Sequence, residues 1–518
     1  MQTQLLDTIK ATEQGQEAEA ILRTCVHCGM CNATCPTYQL LGDELDGPRG
    51  RIYLIKQVLE GKTPTAKTQT HLDRCLTCLS CETTCPSGVQ YGRLLEIGRE
   101  LVEQNVGRSW SQKIIRSSLK NALSNPRLFQ HALKIGRAVS GLLPKHLSEK
   151  IPATIQHSGW PQTAHTRKVL LLDGCVQPGL APEINAATAR VLDRLNIQAM
   201  LAPQAGCCGA VRLHLNDQSG AIASAKRNID AWWPLLKPES ASGVEAIVMT
   251  ASGCGALVKD YGQLLKHDAE YADKALLISQ LTCDLSEFLP NFENELVAKI
   301  GGYGGDNVSA NVGANVGTII KQRVTWHPPC TLQHGQKIRG KVEELLRHLG
   351  VDVQLCVDSH LCCGSAGTYS ILQSDLAQKL RQQKVAALEA TEPELIVSAN
   401  MACQQHLQTA TTIPVKHWIE LLDQILAELP SALPSALTTD LSPRIKVNDS
   451  VNELASIEAE SLSQVDEGMS KAVQKKVVQK KNKSPSSHKN IRKSNVLDGA
   501  DVDLSAQKTV NKRSKKKT

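Results

Sequence analysis

The sequence predicts an α + α/β chain: a mostly helical N-terminal unit, a duplicated α/β unit and a basic tail without a fold of its own. Three observations carry this. "CVHCGMCNATCPT" (25–37) and "CLTCLSCETTCPS" (75–87) both read C-x2-C-x2-C-x3-C-P, with counterpart cysteines 50 residues apart. Downstream, short apolar runs alternate with helical ones, and six of those runs end at a cysteine or a cysteine pair. After about residue 430 the periodicity stops and the chain turns Ser-, Asp-, Glu- and then Lys-rich.

Composition sets the bounds. The chain has 518 residues, 41% of them hydrophobic, enough for real cores, but only 3% aromatic, so those cores are aliphatic. The start "MQTQLLDTIKATEQ" is polar, so no secretory leader is expected. Eighteen cysteines in such a chain point to metal before disulfide. No apolar run reaches membrane-spanning length. The net charge of +7 misleads, because residues 471–518 hold 15 Lys/Arg against 3 Asp, leaving −5 for residues 1–470. The body therefore lacks the basic field that nucleic-acid binding needs, and no nucleic-acid partner is expected.

In chain order, residues 1–105 form one compact unit. Residues 17–23, 50–60 and 91–104 have helical spacing, and the cysteine motifs sit at helix ends closed by Pro36 and Pro86. Residues 106–165 form a basic helical connector. The stretch 104–148 holds eight Lys/Arg and no acid, and Leu128, Phe129, Leu133, Ile135, Val139 and Leu142 share a helical face. It reads either as a solvated connector or as a surface for anionic lipid or an acidic partner. Residues 166–298 and 321–428 are two α/β repeats. Cys175 to Cys207 spans 32 residues, as does Cys330 to Cys362; Cys208 to Cys254 spans 46, against 40 for Cys363 to Cys403. An internal duplication explains this. Residues 299–320 are a Gly-rich flexible insertion, and 429–518 a disordered Lys-rich tail.

The N-terminal motifs specify iron–sulfur chemistry. Three thiolates at C-x2-C-x2-C wrap three corners of a cube, and the C-x3-C-P cysteine reaches the neighbouring cube. Cys25, Cys28, Cys31 and Cys85 are thus expected on one 4Fe–4S cluster, and Cys75, Cys78, Cys81 and Cys35 on the other. Zinc favours separated two-cysteine knuckles instead. Gly29, Gly88 and "GDELDGPRG" (42–50) let backbone amides approach the cluster sulfurs, or simply shape turns.

In a parallel sheet, ligands gather at the carboxyl ends of the strands. Cys175, Cys207, Cys208 and Cys254, and Cys330, Cys362, Cys363 and Cys403, are expected there as an additional redox site, the alternative being inert core cysteine. Cys283 and Cys356 lack repeat counterparts and read as core. His327, His334, His360 and His406 read as structural before catalytic. No dinucleotide fingerprint and no phosphate loop is present. Neither a hydride site nor a substrate site is legible, so no catalytic residue is expected on this chain.

At this point the chain resembles a family, the iron–sulfur subunit of bacterial glycolate oxidase (a dehydrogenase). The residues that carry it include "ILRTCVHCGMCNATCPTYQLLGDELDGPRGRIYLIKQVLEG", "HLDRCLTCLSCETTCPSG", "AGCCGAV", "TASGCGALVKDYGQLLK", "DSHLCCGSAGTY" and "VKHWIEL", over about residues 1–425. The resemblance implies a multisubunit enzyme oxidising glycolate to glyoxylate, with FAD on partner flavin-binding subunits. It implies that this subunit hands electrons to a quinone or similar membrane acceptor from a cytoplasmic position, peripheral on the inner face of the cell membrane. Alternatives are a subunit of a related lactate or glycerol-3-phosphate dehydrogenase, or a thiol redox protein like heterodisulfide reductase. In that last branch each repeat ends C-x2-C, whereas Ala251 and Asn400 stand here at the first of those positions. Each repeat keeps three cysteine positions, counting the adjacent pair as one. A further cluster, a thiolate site with another ligand and a cluster-free fold are all compatible with that.

Overall fold

The computed structural model describes residues 1–139, 159–237, 240, 242–300 and 319–428. The Gly-rich segment 301–317, Leu142 and the tail from 429 lie outside them. The described residues all belong to one compact unit, Met1–Val447.

The N-terminal unit is helical because its apolar residues recur at three and four. Helix α1 (Glu13–Thr24) begins where the Thr12 hydroxyl accepts from the Gly15 amide, and buries Ala18, Ile21 and Leu22. Helix α2 (Pro48–Leu59) opens on a proline and buries Ile52, Ile55, Val58 and Leu59. Helices α3 (Ala66–Asp73) and α4 (Tyr91–Asn105) complete the unit. The α2–α4 approach depends on Gly98, where a Cβ would lie 2.5 Å from the Ile55 side chain. Pro36 does not close a helix; it opens Pro36–Leu41, because a residue without an N–H is tolerated at a helix's first position.

Helices α5 (Trp110–Ser124) and α6 (Pro126–Val139) cover the basic segment. Ion pairs anchor α5 and the turn leading into it: Arg108 and Arg116 to Asp73, and Lys120 to Asp217. Phe129 and Leu133 of α6 pack over Gly179, while Leu128 and Ile135 face solvent. The expected apolar face is therefore split between core and surface.

Each repeat builds a four-stranded, all-parallel sheet. The first has order β2-β1-β3-β4, from Arg167–Leu171, Ile197–Leu201, Val244–Met249 and Thr282–Asp284. The second has order β6-β5-β7-β8, from Arg323–His327, Asp352–Leu355, Leu395–Ser398 and Val415–His417. Helices α7 (Glu183–Arg194), α8 (Gln218–Leu236), α9 (Glu293–Ile300), α10 (Lys341–His348), α11 (Ser374–Glu389) and α12 (Trp418–Ala427) flank them. Helix α7 of the first repeat packs on α12 of the second, with Arg190 paired to Asp423; α9 packs on α10 in the mirrored relation, with Glu293 paired to His348. One apolar core spans both sheets, from Val169 and Val248 to Trp326 and Trp418. Strands β4 and β8 are too short, at three residues each, to show a period of two in the sequence. No helix among the described residues is long and apolar enough to cross a membrane.

Candidate metal centres and thiol cleft

The two cysteine motifs fold into loops of the same shape. His27 and Gly29 of the first motif have φ of +59° and +85°; Thr77 and Leu79, 50 residues on, have +53° and +60°. Two left-handed residues flanking the second cysteine curl the backbone around it. Glycine does this without strain, whereas Thr77 and Leu79 are unusual there. The Thr77 amide donates to Cys75 Sγ at 3.4 Å.

One cavity, with about 440 Å³ of empty space, is lined by Cys25, Cys28, Cys31, Cys81 and Cys85. A second, with about 290 Å³, is lined by Cys35, Cys75, Cys78 and Cys81. The C-x3-C-P cysteine of each motif thus lies at the other motif's cavity, with Cys81 shared between the walls. The segment 42–50 supplies Pro48 to both and Arg49 to the first. Gly88 has open space on its Cβ side. All eight thiols are free, and each cavity offers a four-sulfur donor set. That set fits a 4Fe–4S group.

The two cavities differ electrostatically. Burial pushes the Cys31 thiol up to about 11, with Cys25, Cys85 and Cys28 adding to it. Burial also opposes ionisation of Cys75, yet Arg51 and Arg99, the Tyr91 hydroxyl and the Thr77 amide outweigh it and hold that thiol below its usual value. Arg51 is fully buried. It donates to His71 O at 2.8 Å and Thr37 Oγ1 at 3.1 Å, and lies 3.6 Å from the buried Asp46. Asp46 also holds Arg74 and His71, at 2.8 and 3.0 Å. This buried cation was not legible in the sequence, where "GRIYLIKQ" reads as an ordinary amphipathic helix.

The repeat cysteines converge on a third cavity, a cleft with about 1140 Å³ of empty space, partly open to solvent. Cys175, Cys207, Cys208 and Cys254 face it from the first repeat, and Cys330, Cys362 and Cys403 from the second; Leu76 and Thr77 reach it from the second cysteine motif. Cys363 does not line it, packing behind against Val385 and Leu388. Each repeat brings together four thiols. Cys207 accepts hydrogen bonds from Cys175 and Cys208, and Cys208 is also hydrogen-bonded to Cys254; Cys330 donates to Cys362 at 3.8 Å, Cys362 to Cys363 and Cys363 to Cys403, all of them free thiols. Gly209 and Gly364, at φ +101° and +88°, turn the chain behind each pair and donate their amides to Cys207 and Cys362 at 3.4 Å. Cys283 and Cys356 stay outside the cleft.

The second motif is joined to the second repeat. The Cys78 thiol neighbours those of Cys330 and Cys362, and Thr83 Oγ1 lies 2.9 Å from His334 Nδ1. Burial holds His334 down to about 4, and its Nε2 meets the His360 carbonyl at 2.9 Å. His334 is therefore a joint between domains. His327 bonds Ser398 inside the second sheet, and His406 is likewise neutral through burial, at about 4. His360 is lowered by burial as well.

Comparisons with known proteins agree with this geometry. Residues 21–89 match the 4Fe-4S dicluster domain family, and 169–259 and 324–408 match the Cysteine-rich domain family. The chain is 52% identical over 427 residues to the glycolate oxidase iron-sulfur subunit of Escherichia coli strain K12, covering 82% of this chain and 99% of that one. It is 30% identical over 414 residues to the probable glycolate oxidase iron-sulfur subunit of Bacillus subtilis strain 168, covering 74% and 88%. Lactate utilization protein A of Bacillus velezensis is 26% identical over 244 residues, covering 46% of this chain and 90% of that protein. With nearly the whole of the Escherichia coli protein matched at that identity, the chain belongs to the glycolate oxidase iron–sulfur subunit family.

Proposed function

We propose that this chain is the electron-transfer subunit of a glycolate oxidase. A flavin-bearing partner oxidises glycolate to glyoxylate, and a membrane quinone or similar acceptor is reduced at the far end. The observation that carries this is the row of three sulfur-lined cavities, two of them shared between exchanged motifs and the third beside the second. Cys25, Cys28, Cys31 and Cys85 would hold one 4Fe–4S cluster, and Cys75, Cys78, Cys81 and Cys35 the other. When bound, such clusters supply one-electron transfer. Arg51 and Arg99 place positive charge at the second site, which favours the added electron there. The repeat thiols would line the acceptor's site, or hold a further redox group, in the cleft.

The chain is proposed to act peripherally on the inner membrane face. The α5–α6 surface supports this: Trp110 is 79% exposed, Ile114, Ile115, Leu128 and Ile135 are exposed as well, and the segment has no acid. Anaerobic purification with iron, sulfide and flavin counts tests the reading. Eight irons per chain and a flavoprotein giving glycolate-dependent dye reduction are expected; a loaded chain without any flavoprotein would refute it. Changing Cys35 to Ala tests the exchange, since the cluster held by Cys75, Cys78 and Cys81 should suffer first by EPR.

A further inference from the structure

The two motif loops share their cysteine spacing and their pair of left-handed residues, but their outer faces differ. In the second motif the outward positions are Leu76 and Ser80, 4% and 1% exposed. The second repeat covers Leu76 and Cys78: both pack with Cys362, Tyr369 and Leu380. In the first motif the same positions are Val26 and Met30, 68% and 53% exposed. Between them lies Cys28, which alone of the eighteen cysteines is exposed. Tyr53 of α2, 45% exposed, extends the patch and meets His27 edge-on, with ring centroids 6.3 Å apart. At the margin Arg49 and Glu44 neutralise each other at 2.6 Å. The face is apolar, nearly neutral and centred on a sulfur.

We infer that this face, Val26, Cys28, Met30 and Tyr53, is where the flavin-bearing partner docks and delivers its electrons. The inference rests on the proposed function and gives that partner a place. Three arguments select this occupant. Electron transfer weakens steeply with distance, and the other seventeen cysteines are all buried or only partly exposed. The chain's own duplicate shows what such a loop face is for: in the second motif it is covered by the next group of redox thiols. Methionine and tyrosine with a neutral margin are the composition of a protein–protein contact, whereas the basic α5–α6 surface has the composition for lipid.

The test uses the full-length tagged chain, purified anaerobically from its own cells. Flavin and iron are counted in the same sample. Val26→Glu with Met30→Glu should lower the flavin-to-iron ratio at least tenfold with iron per chain unchanged. Tyr53→Glu, on a regular helix outside the cysteine loop, is the second variant in case the first loses iron, and should lower the ratio severalfold. Ile371→Glu, on another exposed apolar residue, should leave it unchanged. A wild-type chain without flavin would overturn the functional reading, and this inference with it. Wild-type flavin retained by both patch variants would overturn the docking face alone. So would loss of flavin from Trp110→Glu but not from the patch variants. A patch that instead holds a second copy would show as a dimer that the variants convert to monomer, with flavin unchanged, and that too would overturn it.

Discussion

The two cysteine-rich repeats share strand order, cysteine order and glycine turns, yet they join the N-terminal unit differently. The second meets the N-terminal unit through Cys330, Cys362 and His334. The first meets that unit through polar groups away from its thiols, Lys266 to Glu17, His267 to Glu13 and Asn216 to Glu103, while its thiols line the cleft. Their thiols differ accordingly. In the first repeat Cys207 is held well below its usual value, because Cys175, Cys208 and the Gly209 amide all direct hydrogens at it. In the second, Cys330, Cys362 and Cys363 are all raised: each directs its hydrogen at the next sulfur in the row, Cys330 at Cys362, Cys362 at Cys363 and Cys363 at Cys403, burial adds, and no one sulfur gathers the donors. A duplication can conserve a fold while dividing its task.

The largest expected effect follows from that asymmetry. On the proposed function, Cys362→Ala with Cys363→Ala should abolish glycolate-dependent reduction of the acceptor by the assembled complex, with iron per chain at the N-terminal sites unchanged. Cys207→Ala with Cys208→Ala should cost about tenfold, equivalent to about 1.4 kcal/mol. Equal losses would break the comparison, and full activity in both would reduce these cysteines to core packing.

Acid should separate the repeats next. Burial holds His327 and His417, both in the second repeat, to about 3. Their folded values lie below the ordinary 6.5, so the stability they add is complete above 6.5 and is lost as pH falls toward 3. Asp284 occupies the place of His417, at the end of the fourth strand and capping the next helix. Burial raises it to about 6, so its contribution is complete below 3.8 and is lost as pH rises through 6. Going from about pH 7.5 to about pH 5 should weaken the second repeat by roughly 2 kcal/mol per histidine and strengthen the first by about 1 kcal/mol. Hydrogen exchange read by mass spectrometry should show 319–428 opening before 166–298. Simultaneous opening would mean that the shared core enforces one transition.

Much of this was legible beforehand. The six cysteine-ended runs placed six of the eight strands, and the 32-residue spacing announced two sheets. Strands β4 and β8 escaped because three residues carry no alternation. That the eight N-terminal cysteines gather around two cavities could be read because ligand geometry fixes cysteine spacing tightly. What could not be read is what long-range packing decides: the buried Arg51, the His334 joint, and the left-handed Thr77 and Leu79, where only Gly29 of the first motif gave a local sign.

The glycine turns offer a smaller contrast. A Cβ at Gly364 would lie 2.7 Å from Ala377 O and 3.0 Å from Leu380 Cβ; at Gly209 the nearest atom is Ala221 O at 3.1 Å. Both substitutions force alanine into a left-handed backbone, at about 1–2 kcal/mol. Gly364→Ala should cost about 1 kcal/mol more than Gly209→Ala, because backbone must also move. Denaturant midpoints of the two variants measure this, and equal midpoints would show that α11 yields as readily as α8.

The smallest effect concerns the positions where C-x2-C is lost. Ala251 and Asn400 sit at equivalent helix starts with similar extended backbones. Asparagine is a favoured residue there because its side chain usually accepts from the helix's first amides. Asn400 makes no such cap; its Nδ2 donates to Cys403 Sγ at 3.3 Å. Ala251 can give Cys254 nothing comparable, and Cys254 is the more exposed of the two thiols. The second repeat thus replaces a missing sulfur with an amide that steadies the remaining one. Asn400→Ala should lower stability by about 0.5–1.5 kcal/mol, the worth of one such bond. It should also raise the alkylation rate of Cys403 severalfold, toward that of Cys254. Ala251→Asn should slow alkylation of Cys254 in return. If Cys403 reacts no faster without Asn400, the contact is incidental and the repeats differ at this position in sequence alone.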